Sequence, residues 1–271
     1  MRTRLGLGVA VLLLAVGAGC AAHHINKGDS AAATGDWKTA EMEYRTALAG
    51  KPNEPGLKEK HDQAATQAMA QSKAKAQACL QNRDFGCAVG EADYEVGLNP
   101  SDAEAQSLRT SARKAYALDD VEKAKAQVSG NPGYALDLLD HAKTMSNDAE
   151  VSQAIGATSS AAVNGLVTQA NALQAQAGQA QGKAGLDLFD KSISLLDRAA
   201  RADSRVGTNL QAARTAKETW SAGEYERIAR LGDTAAAGRN WQGAIQQYQY
   251  AESFRPGGRA RASMAYAQAC A

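Results

Sequence analysis

The chain is short of aromatic residues, of proline and of any surplus of charge. Aromatics make up 5% of its 271 residues, with three Phe and three Trp. That excludes a thick β core, which aromatic and β-branched side chains fill. Five prolines leave long stretches with nothing to break a helix. Thirty basic side chains against 29 acidic ones give a net charge of +1. Such a balance leaves no basic footprint and argues against nucleic acid as a partner. Mean hydropathy is −0.40, which excludes a multi-spanning membrane protein. What is abundant is alanine, inside a hydrophobic fraction of 44%. Alanine is the best helix former, and it lets thin helices pack closely. The length is enough to bury a substantial core.

The first twenty residues read as an address. Arg2 and Arg4 precede Leu5 to Gly19, a run with no charged or polar side chain, and Cys20, Ala21 and Ala22 follow. This is the layout of a secretory signal. The run is glycine-rich and stops at a cysteine, unlike a membrane-spanning helix. Ala15-Val16-Gly17-Ala18-Gly19-Cys20 resembles a bacterial lipobox. Ala18, Gly19 and Cys20 match its pattern, and Gly17 stands where Leu is usual. The resemblance implies removal of residues 1–19, acylation of Cys20 and a lipidated tether over 20–26. Several acyl chains make such anchoring stable. Ala21, where Asp would retain a lipoprotein in the inner membrane, implies the outer membrane, periplasmic face. Plain secretion into the periplasm is the alternative.

Three further cysteines are Cys79, Cys87 and Cys270. Cys79 and Cys87 flank Gln81-Asn82-Arg83-Asp84, which reads as a turn between two helices. Residues at matching distances on either side of such a turn face each other, so these two are the natural pair in an oxidising compartment. Two small buried thiols are the alternative. Their spacing is too wide for a Cys-x-x-Cys redox or zinc motif. Cys270 has no evident partner.

A pattern recurs along the chain. Ala40 is followed by Tyr44, Ala47 and Pro52, and Ala244 by Tyr248, Ala251 and Pro256, at identical offsets. Trp37 and Trp241 stand three residues before the two anchors. Weaker copies start at Ala88, with Phe85, Ala92 and Pro100, at Ala135, with Leu139, Ala142 and Asn147, and at Ser192, with Phe189, Leu196 and Ala199. Small residues allow close helix approach, an aromatic fills the gap to the next pair, and proline ends the unit. This resembles the tetratricopeptide repeat family. Ile228, Leu231 and Gly232 supply the upstream positions in the last copy, and Gly28 alone, with Lys27 where Leu is expected, in the first. The resemblance implies an all-α, TPR-like helical-hairpin solenoid over residues 27–271, with about five degenerate repeats of 47–57 residues. It also implies groove-lining positions at Ala70, Lys73, Gln77 and Leu80, and at Glu226, Ala229, Asp233 and Ala236.

The extra length lies before each short helix. Long helical segments are predicted over 55–82, 101–128, 149–181 and 205–237, with apolar residues at helical spacing. Leu166, Ala170, Leu173, Ala177 and Ala180 fall on one stripe, which would also suit a coiled-coil seam. Gly178, Gly182 and Gly185 predict fraying before a helix near 186–202. Nothing reads as strand.

No catalytic constellation is present. There is no phosphate loop, nucleophile elbow or His-Glu-x-x-His. His23 and His24 read as part of a solvated tether. His141 and Asp140 are neighbours on a helix and cannot face each other. Asp119-Asp120 and Asp137/Asp140 read as solvated faces. Trp220 reads as core or as a contact surface. The expectation is a non-enzyme without metal, cofactor or small-molecule substrate. It would be an outer-membrane-anchored periplasmic scaffold lipoprotein, pilotin-like or outer-membrane assembly-like. Its partners would be other envelope proteins, met through a client peptide or helix, and the membrane, met through the lipid. The competing expectation is a structural envelope protein that self-associates through coiled-coil-like long helices.

Overall fold

A computed structural model describes residues 21–271. The signal segment 1–19 and the lipidation expected at Cys20 lie outside the described residues. Among these residues every regular element is helical. The order is α1 (21–33), α2 (Trp37–Gly50), α3 (Leu57–Gln81), α4 (Phe85–Leu98), α5 (Ala103–Gln127), α6 (Pro132–Met145), α7 (Ala149–Gln179), α8 (Lys183–Ala202), a 3₁₀ turn (Ser204–Val206), α9 (Gly207–Ala237), α10 (Trp241–Glu252) and α11 (Arg259–Cys270). The chain divides into two compact units. One holds the described residues up to Asp119 together with Thr144–Val151, and the other holds Asp120–Lys143 with Ser152–Ala271. Within each, consecutive helices pack as hairpins: α2 on α3 and α3 on α4 in the N-terminal unit, α8 on α9, α9 on α10 and α10 on α11 in the C-terminal one.

Three hairpin turns are built alike. Gly35, Arg83 and Arg239 take left-handed backbone, with φ of 76°, 58° and 58°. Each is followed by an Asp or Asn whose side chain accepts from a backbone N–H three residues on: Asp36 from Thr39 at 3.2 Å, Asp84 from Cys87 at 3.1 Å, Asn240 from Gly243 at 3.0 Å. The N–H of each capping residue donates at 2.9 Å to a carbonyl five residues back, on Ala31, Cys79 and Ala235. One helix is thus closed and the next opened within four residues. Arginine at a left-handed position is strained. Arg83→Gly and Arg239→Gly are expected to stabilise the protein by about 0.5–1 kcal/mol each in urea unfolding. The Ala variants, which keep the Cβ, should give no such gain.

Burial follows the repeating pattern. Ala40, Ala88, Ala135, Ser192 and Ala244 are all fully buried, as are Ala47, Ala142, Ala199 and Ala251 seven residues later. Tyr44, Ala92, Leu139, Leu196 and Tyr248, four residues after each anchor, are buried too. At the two tyrosine positions the facing residue is glycine. Gly28 lies so close under Tyr44 that an added Cβ would stand 2.5 Å from the ring, and Gly232 stands in the same relation to Tyr248. In the second hairpin both equivalents are alanine, Ala76 and Ala92, and both are fully buried. Pro52, Pro55, Pro100 and Pro256 sit in turns, and Pro132 opens α6. That first position needs no N–H donor.

Two local expectations are corrected. Residues 21–26 are helical, with Ala21 buried and His24 Nδ1 2.5 Å from Glu43 on α2, so the stretch read as a tether is packed helix. The break before α8 is shorter than expected. Gly178 remains inside α7, and α8 begins at Lys183, because Gly182 alone makes the turn at φ 61°.

Candidate functional site

The groove positions carried over from the repeat pattern are covered on α9 and partly free on α3. Ala229 is fully buried within the α9–α10–α11 core, and Ala236 packs against that core. Glu226 and Asp233 are both held by Arg259, at 3.1 and 2.9 Å. The first helical turn of α11 therefore covers the face of α9 that a client would need. On α3, Ala70 and Gln77 are exposed and Leu80 is half-buried, while Lys73 reaches Glu104 at 2.5 Å.

Asp233 belongs to an arrangement that occurs twice. Tyr44 on α2 donates to Asp29 on α1 at 2.7 Å, and Lys60 on α3 donates to the same carboxylate at 2.7 Å. Tyr248 on α10 donates to Asp233 on α9 at 2.8 Å, and Arg259 on α11 donates at 2.9 Å. The bonds from Lys60 and then Tyr44 hold Asp29 below the usual carboxylate range. Burial opposes the charge on Asp233, but the bonds from Arg259 and Tyr248 outweigh it and its pKa is lowered. Burial, then the bond to the carboxylate, raises both tyrosines. Each latch ties a hairpin to the helix that follows it. Sequence reading found the glycine and the tyrosine and placed Asp233 in the groove, but paired neither aspartate with its tyrosine, although each stands directly after the glycine.

Buried carboxylates are the other feature that was missed. Glu41 is 1% exposed and is met by His61 at 3.3 Å, Arg45 at 3.5 Å and the Tyr94 hydroxyl at 3.4 Å. Burial, then the Glu41 charge, pushes Tyr94 up to about 12. Glu91 pairs with Lys38 and with Lys75, the latter at 2.9 Å, and Lys38 also stands over the Tyr94 ring. Burial opposes the Glu91 charge, and these two lysines reverse the balance to leave its pKa lowered. Asp120, expected to be solvated, is buried and lies 2.5 Å from His141. Its partner comes from the next helix, which adjacency in sequence does not reveal.

Glu95 has no comparable compensation. It is 3% exposed, its Oε2 lacks a hydrogen-bond partner, and it occupies a position where four other copies carry alanine. Burial, then the Asp102 charge, raises its pKa, with Lys73 opposing and Glu104 adding to the rise. A raised pKa means that the folded chain holds this proton more firmly than the unfolded one. The contribution is favourable below the ordinary glutamate pKa and is lost as pH rises through the folded value. Glu95→Met is therefore expected to stabilise the protein by about 1–2 kcal/mol at neutral pH. The gain should shrink towards pH ~4. Urea unfolding across that range measures it, and a gain independent of pH would reject the assignment.

The C-terminal unit contains an open cleft of about 870 Å³ between α8, α9 and the turn after α10. Leu186, Asp190 and Ile193 line it from α8, Arg214, Lys217, Glu218, Ser221 and Ala222 from α9, and Phe254 and Arg255 from the turn. Aromatic packing lies beside the cleft. Trp220 lies on the bare backbone of Gly185, where a Cβ would stand 2.2 Å from the ring. It meets Phe189 at 5.6 Å and Phe254 at 6.1 Å between centroids, and Phe254 meets Tyr250 at 5.2 Å. This aromatic row packs α8 against α9 and the turn after α10. Glu224 fixes the end of the row. It accepts from the Gly182 N–H at 2.6 Å and from Arg227, while Tyr250 Oη accepts from the Lys183 N–H at 3.1 Å. The bond from Arg227 is the main cause of its lowered pKa.

Cys79 and Cys87 are joined in a disulfide across the α3–α4 turn, with Cα atoms 5.9 Å apart. Asp84 stands beside them, completing the one group of three metal-ligand side chains among the described residues. With both sulfurs in the bridge, no thiolate remains to bind a metal. Cys270 is free and exposed. No helix among the described residues is long and apolar enough to cross a membrane. Compared with known proteins, the chain matches no family model and no curated sequence. Fold and cleft together define an all-α protein of consecutively packed helical hairpins with an open amphiphilic cleft.

Proposed function

We propose that this chain is a non-enzymatic, TPR-like repeat scaffold, anchored through Cys20 at the periplasmic face of the outer membrane. It holds a peptide or helix of another envelope protein. The observation that carries this reading is the repeated latch, Gly28-Asp29 with Tyr44 and Lys60, and Gly232-Asp233 with Tyr248 and Arg259. The same stereochemical rule at both ends of the chain supports a solenoid of hairpins, and solenoids present extended binding surfaces. The open cleft supports a client-binding role, and the lipid would concentrate the module near membrane partners.

The self-associating reading has less support. Leu166, Ala170 and Ala177 of the stripe that would form its seam are buried by the chain's own packing. Sedimentation equilibrium separates the two readings. A monomer over a roughly 100-fold concentration range is the expected result. Mass that climbs with concentration would favour self-association.

A further inference from the structure

The α8–α9 cleft contains none of the latch residues, and its lining is chemically sorted. Leu186 and Ile193, two turns apart, present apolar side chains on one face of α8, and Ala222 and Phe254 continue that surface. Lys217 of α9 and Asp190 of α8 pair at 2.5 Å within the lining and neutralise one another. Arg214 and Arg255 are exposed and have no carboxylate within ion-pair distance among the described residues. Glu218, one turn beyond Arg214, is the remaining charge. The lining thus keeps a net positive charge after its internal pair is discounted, set beside an apolar wall.

We infer that this cleft takes a helical peptide segment that presents a carboxylate between apolar side chains. This rests on the scaffold reading and names the chemistry of the client. The carboxylate meets the guanidinium groups of Arg214 and Arg255, which favour planar anions. The apolar side chains lie along Leu186, Ile193, Ala222 and Phe254. The cleft is open and walled by two antiparallel helices, so it suits an amphipathic helix laid in a groove. A fatty acyl chain would call for an enclosed, purely apolar tunnel.

The test is isothermal titration calorimetry of the full-length protein in detergent. Three synthetic amphipathic helical peptides differ only in carrying Glu, Gln or Lys at their polar positions. The Glu peptide should bind at least about tenfold more tightly than the Gln peptide. Arg214→Glu/Arg255→Glu should abolish that preference and transfer it to the Lys peptide. Both arginines are exposed, so the variant should keep the wild-type circular dichroism and melting profile. Equal binding of the three peptides, or a preference unmoved by the double variant, would overturn the inference. So would displacement by inorganic phosphate as effective as the Glu peptide, which would indicate a plain anion site. Failure of the scaffold reading is distinguishable. If the double variant still captures envelope clients while the peptides fail, the scaffold stands and the cleft assignment falls. If the peptides bind with the expected charge preference but no client is captured, the reverse holds.

Discussion

Gly232→Ala should lower the unfolding free energy by about 2–3 kcal/mol, because the new methyl overpacks a closed core. Its Cβ would stand 2.5 and 2.7 Å from two ring carbons of Tyr248. The ring cannot swing away, since its hydroxyl is fixed on Asp233 and its surroundings include the fully buried Ala229 and Ala251. Tyr248→Ala alone is also destabilising, through a cavity and the loss of the latch bond. The double variant should nevertheless cost less than the two together, with a coupling of at least about 1 kcal/mol. The α3–α4 hairpin already carries this combination as Ala76 and Ala92. Urea unfolding of the four proteins in the cycle measures the coupling. Strict additivity would show that the glycine is not there for the tyrosine. Gly28→Ala should behave in the same way against Tyr44.

Cys79→Ser/Cys87→Ser should cost about 2–3 kcal/mol, from the loop-closure entropy that a nine-residue bridge removes from the unfolded chain. The bridge sits at the α3–α4 turn, directly against the strained Arg83 and the Asp84 cap. Amide exchange of residues 79–88 should accelerate in the variant, and wild-type protein in dithiothreitol should match it. The exchange of α10 and α11 should stay unchanged. An oxidised protein that exchanges as fast as the reduced one would contradict a structural role for the bridge.

The fold was largely legible, because alanine anchors, aromatics and prolines at fixed offsets leave a trace in one dimension. The four long segments read from spacing fall within a few residues of α3, α5, α7 and α9. What stayed hidden depends on partners from other helices. Ala229 and Asp233 looked like groove positions until α11 was seen to lie on them, and nothing at their own positions signals that cover. Asp120 looked solvated because its partner, His141, is 21 residues away. The cleft was invisible for the same reason. It is lined jointly from α8, α9 and the turn after α10, a juxtaposition that no single-helix periodicity encodes. Gly185 was read as a helix breaker, and its actual role is to admit a ring.

The central claim is that the chain is a membrane-tethered scaffold for another protein. Crosslinked affinity capture of the tagged full-length protein from native envelopes, beside a Cys20→Ser control, tests it most directly. The expected result is one abundant envelope protein recovered with the wild-type chain and lost with the control. Recovery of the chain alone, in high-order products with itself, would contradict the claim.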